Sequence, residues 1–168
     1  MGIALDSESV IDQWSMIVDS AAGNATDVLD DIKRRLESAR IPGECTWDVE
    51  EVKSGGFLAR TRREFLVIRL KEFKDYRIYV AARDYGVHLD VCRFVAVQAG
   101  VLKGMIAEKI AGDKTALSGP TNILVAQDLR AWVTVVHHAV LEAIEALDQR
   151  LGRKSYLKRE SQGVLAVW

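Results

Sequence analysis

Two histidines stand side by side at His137 and His138, and Glu142 follows four residues after the second. Adjacent residues on a helix diverge by about 100°, so the two rings cannot close on one ion from this segment alone. His138 and Glu142 share a helix face, and that spacing would suit a metal pair or an oriented acid–base couple. A zinc centre needs three or four ligands at defined spacing, however. No H-E-x-x-H occurs, and the remaining histidine, His88, lies in a distant segment. The expectation is a core-edge His137 beside a surface His138–Glu142 pair, with no metal site.

Other short patterns fail for equally specific reasons. Gly112-Asp113-Lys114-Thr115 lacks the lysine directly after glycine, and Ala107 stands where a phosphate loop needs its upstream glycine. No nucleophile elbow, dinucleotide fingerprint or cysteine–histidine context is present. Asp84 and Asp90 flank a turn, where Asp84 serves its own backbone. The sequence predicts no catalytic residue and no cofactor.

The richest constellation is basic. Between Lys53 and Arg83 lie nine bases, among them Arg60, Arg62, Arg63, Arg69, Lys71, Arg77 and Arg83, against three acids. Tyr79, Tyr85 and Phe57 are interleaved. Arginines with aromatics on an open sheet are what single-strand binders use, the phosphates neutralised while bases stack. These side chains are therefore candidate contacts to nucleic acid or to an acidic partner. Two plainer outcomes compete: a solvated face that resists edge pairing, or neutralisation by Asp19, Asp27, Asp30 and Asp31 of the first helix.

The chain closes on Arg153, Lys154, Lys158 and Arg159 against Glu160, then on Gly-Val-Leu-Ala-Val-Trp. Free termini are usually polar and frayed. An apolar end with Val164, Leu165, Val167 and Trp168 is expected to dock, on its own domain as an added strand or on a partner's sheet.

The elements that would position these residues follow from periodicity. Residues 7–40 carry Val10, Trp14, Ile17, Val18, Ala21, Val28, Ile32 and Leu36 at steps of three and four, which predicts a helix. Ser7 or Ser9 would cap it, Gly23-Asn24 would kink or split it, and Pro42-Gly43 would close it. From about 46 to 97 the period is two. Leu66, Ile68 and Leu70 alternate with Val67, Arg69 and Lys71; Tyr76, Ile78 and Val80 alternate with Arg77, Tyr79 and Arg83. Asp84-Tyr85-Gly86 reads as a three-residue hairpin. The return strand sets Leu89, Val91 and Arg93 against Asp90, Cys92 and Phe94. A short helix at about 101–111 and a long one at about 123–151 follow. The long helix has a second apolar flank at Val125, Ala131, Val135 and Ala139, which implies helix–helix packing within the domain or across a dimer.

The expectation is one α+β domain over residues 1–168: an antiparallel meander of about four strands packed in two layers against N- and C-terminal helices. Its other sheet face would meet solvent, a ligand or a partner.

The 168 residues suit a single core, 49% apolar and 28% charged. Net charge is only −1, but residues 1–50 hold 11 acids against 4 bases while residues 51–100 hold 6 against 10. A whole-chain pI near 6.3 is unlike that of a dedicated nucleic-acid binder. Two cysteines without C-x-x-C spacing, no leader and no membrane-length apolar run lead to an expectation of a soluble cytoplasmic protein. Functionally, the first expectation is a non-enzymatic interaction module that forms a homo-oligomer or docks on a partner protein. A nucleic-acid-binding module using the basic face is the alternative. A ligand pocket between sheet and terminal helix, near His137 and Tyr79, is the weaker one.

Overall fold

The computed structural model describes residues 3–4, 8–54, 61–98, 123–154 and 162–163. In chain order these form β1 (Ile3–Ala4), β2 (Glu8–Val18), α1 (Ala25–Ser38), β3 (Cys45–Ser54), β4 (Thr61–Leu70), a 3-10 turn (Lys71–Phe73), β5 (Tyr76–Tyr85), β6 (His88–Gln98), α2 (Ile123–Arg150) and β7 (Gln162–Gly163). The sheet order is β1-β3-β4-β5-β6-β2-β7. β3 to β6 are the antiparallel meander, and β2 adds a fifth antiparallel strand against β6. The class is α+β, as the change from helical to two-residue period implied. The segment at 101–111 lies outside the described residues.

One expected element is wrong in its first half. Residues 8–18 are a strand, and the helix starts only at Ala25, after the Gly23-Asn24 break. Neither Ser7 nor Ser9 caps it. Asn24 occupies that position and turns its amide back onto the Ala21 carbonyl at 3.0 Å. β2 carries Asp12, Trp14, Met16 and Val18 inward, so an acid interrupts its apolar face and masks the two-residue period.

Register fixes which side chains share a face. Ile78 opposes Val95, Val80 opposes Arg93, and Ala82 opposes Val91. Ile78, Val80, Ala82, Val91 and Val95, with Leu66, Ile68 and Trp14, meet Val28, Ile32 and Leu36 of α1 and Val133, Val136, Val140, Ile144 and Leu147 of α2. α1 and α2 also pack on each other, which accounts for the broad buried face of α2. Burying each large aliphatic side chain contributes about 1.5–3 kcal/mol.

The hairpin joining β5 to β6 has two loop residues, not three: Tyr85 pairs with His88 across Gly86-Val87. Gly86 takes φ +63°, which suits the first central position of a II′ turn.

Candidate functional site

The bases of the meander divide by strand alternation. Arg63, Arg69, Arg77 and Arg83 belong to the face turned away from the helices. Arg60 and the side chain of Arg62 lie outside the described residues, as do Val164, Leu165, Val167 and Trp168. The beginning of the tail is described, and Gln162 and Gly163 pair with Gln13 and Asp12 as an added strand of the same sheet.

The acids that neutralise the basic face are not those of the first helix. Arg69 bonds Glu50 across β3 and β4. The Arg83 guanidinium donates to Asp90 at 2.9 Å and stands 5.6 Å over the Tyr85 ring. Lys71 meets Glu44 at 2.7 Å. α1 packs on the opposite side of the sheet, where Asp31 binds Arg34 and Arg35, Asp30 binds Lys33, and Asp27 faces Arg150. Cross-strand neighbours on one face are closer than anything through the sheet, so they take the charge.

Nor is the centre of that face open. Tyr79 is only 2% exposed, with Phe65 edge-on at 5.9 Å, and Val67, Ala81 and Ala96 are buried beside it. A base could not stack on Tyr79. His137 is equally buried but on the helix side, edge-on to Trp14 at 5.5 Å. His137 and Tyr79, named together for a pocket between sheet and terminal helix, lie on opposite faces of the sheet.

What remains open is the hairpin end. Ser15, Cys92 and Ala81 stand in one row across β2, β6 and β5. These small side chains contribute to a groove of about 520 Å³, lined also by Arg63, Phe65, Arg83, Asp90 and Phe94. Ile17, one row nearer the hairpin, is 48% exposed; Tyr85 and Val87 are 63% and 65% exposed. Burial pushes the Cys92 thiol up to about 11, with the Asp90 carboxylate adding to it and Arg83 and Arg63 opposing. At neutral pH it is a thiol, not a nucleophilic thiolate.

A second concavity went unread in the sequence. It measures about 260 Å³ and opens between the α1–β3 connection, the 3-10 turn and the first half of α2. Ile41, Leu70, Phe73, Trp132 and Val135 form apolar walls, and Glu72 and Asp128 line it with charge. Phe73 and Trp132 stack at 6.0 Å and 18°. Nearby, burial raises the Cys45 thiol, opposed by the neighbouring Trp132 indole, while Glu72 raises it further. The only sequence signal was the second apolar flank of α2, which supplies Ala131 and Val135.

Glu142 is engaged by Arg35 of α1 at 2.6 Å, so His138–Glu142 is not the isolated pair its spacing suggests. Among the described residues no group of three or more His, Cys, Asp or Glu side chains could hold a metal ion. No described helix is long and apolar enough to cross a membrane. No family model, curated protein or solved structure matches the chain.

Proposed function

We propose that the chain is a non-enzymatic assembly module, a soluble cytoplasmic subunit that self-associates or docks on a partner protein through the hairpin end of its outer sheet face. One observation carries the reading: exposed Ile17 and Tyr85 neighbour the groove residues Asp90 and Arg83, and exposed Val87 lies in the adjoining turn. Aromatic and arginine side chains around an apolar centre are what protein interfaces concentrate. Cys45 and Cys92 are both free thiols, which suits a reducing compartment.

The test is the oligomeric state. Sedimentation of the full chain up to about 100 µM populates any complex held by roughly 5.5 kcal/mol. The expected result is concentration-dependent association that Tyr85→Ser with Val87→Ser abolishes. A monomer at every concentration, in both proteins, removes the self-association reading.

The nucleic-acid alternative keeps one supporting observation. Arg63 is exposed, has no ion pair among the described residues and lines the same groove as Arg83. Binding to short single-stranded oligonucleotides that weakens steeply with salt would favour it, and no binding at low salt would end it.

A further inference from the structure

We infer that the concavity between the 3-10 turn and α2 is a binding site for a monovalent organic cation: an ammonium or guanidinium group carried on a short apolar body. The argument starts from charge. Its two titratable lining residues, Glu72 and Asp128, are both acids, and neither has an ion pair among the described residues. Asp31, Asp30, Glu44, Glu50, Asp90 and Glu142 each hold a base, and what sets Glu72 and Asp128 apart from other described acids without an ion pair, such as Glu37 and Asp75, is that both line one apolar hollow. Two carboxylates on an otherwise apolar hollow create a negative potential that low-dielectric walls focus.

The walls select the body of the ligand. Phe73 and Trp132 present aromatic surface, and Ile41, Leu70 and Val135 present aliphatic surface. An alkyl or aryl group displaces water from these, while the two carboxylates attract the cation. A bare metal ion gains nothing from such walls. At about 260 Å³ the site holds one small cation and is below the range of drug-sized pockets.

One acid is held in place. A Cβ on Gly43 would lie 2.6 Å from Glu72 Oε2, so the carboxylate rests directly on the glycine backbone. Gly43 also has φ +86°, a conformation glycine accepts readily. The α1–β3 connection thus positions the charge at the pocket as well as closing it.

The chemistry could come from a free amine or from a lysine side chain of a partner. NMR titration of the full ¹⁵N-labelled chain separates them, with benzyltrimethylammonium, n-butylammonium and a capped glycyl-lysyl-glycine peptide as probes and benzyl alcohol as the neutral control. The expected result is saturable shifts at the Trp132 indole N–H and Gly43, with affinity for at least one cation about tenfold above benzyl alcohol. Glu72→Gln with Asp128→Asn should remove that tenfold preference while leaving the spectrum otherwise folded, since both positions are exposed. Preference for the capped peptide assigns the source to a protein partner, and preference for a free amine assigns a small ligand. Either upholds the site. Equal binding of benzyl alcohol, or no saturation up to about 50 mM, overturns it, because affinity that weak is below what even small ligands gain from a fitted pocket.

Discussion

Arg93 of β6 and Asp12 of β2 form a fully buried ion pair on the helix-facing side of the sheet, Nη2 to Oδ2 at 2.5 Å, with both side chains 0% exposed. Burial depresses the arginine's affinity for its proton, and the Asp12 carboxylate opposes that effect. Its Nε and Nη1 have no hydrogen-bond partner among the described residues. Removing one member of such a pair strands a charge in the core, whereas replacing both with apolar groups need not. Asp12→Ala is expected to cost about 3–5 kcal/mol, and Asp12→Leu with Arg93→Met to recover most of it. Urea denaturation decides: a single variant within about 1 kcal/mol of the parent would show that the charge is relieved elsewhere.

That same pair explains where the sequence was readable and where it was not. The meander was legible because Leu66, Ile68, Ile78, Val80, Leu89 and Val91 keep a strict two-residue period. A single inward base, Arg93, did not break it. β2 was not legible, because Asp12 faces the core while Val10 and Ile17 face out, so its apolar residues fall by accident at steps of four and three. Only the buried partner Arg93, 81 positions away, makes Asp12 an inward residue. The candidate surfaces were half visible for a similar reason. Alternation placed Arg69, Arg77 and Arg83 on one face, but it could not show that Glu50 lies within reach of Arg69 or that Asp90 sits opposite Arg83. The pocket of Glu72, Asp128 and Trp132 draws on three segments far apart in the chain, and no local pattern joins them.

Gly43 should resist substitution for two separable reasons. Alanine at φ +86° is strained by about 1–3 kcal/mol, and its Cβ would also displace the Glu72 carboxylate. Gly43→Ala is therefore expected to be destabilising in the parent and less so in a Glu72→Ala background. A double-mutant cycle should give a coupling of at least about 0.5 kcal/mol. Zero coupling would mean that Glu72 moves aside freely, leaving only the backbone cost.

The Arg35–Glu142 bond joins the two helices at 2.6 Å, yet its members are 29% and 57% exposed. Exposed ion pairs contribute about 0–1 kcal/mol because solvent screens them and ordering two long side chains costs entropy. Glu142→Gln should shift the melting temperature by no more than about 2–4 °C, the shift that 1 kcal/mol produces in a chain of this size. Salt should erase the difference. A larger, salt-insensitive loss would assign Glu142 a role beyond pairing with Arg35.

Cys92 supplies the pH test of the outer groove. Burial is the first cause of its raised value of about 11, with Asp90 second. A thiol raised from the ordinary value of 9 to about 11 holds its proton more tightly folded than unfolded. Its contribution to stability is then fully present below pH 9 and is lost as pH climbs from 9 towards 11. Iodoacetamide should label Cys92 about a hundredfold more slowly at pH 8 than an ordinary exposed thiol does, since only the thiolate reacts. The rate should rise about tenfold per pH unit up to about pH 11. Arg63 and Arg83 oppose the rise, so Arg63→Gln should slow labelling further, and a partner seated on the groove should slow it again by exclusion. A plateau near pH 9 would place Cys92 in ordinary solvent and open the groove floor more widely than its burial implies.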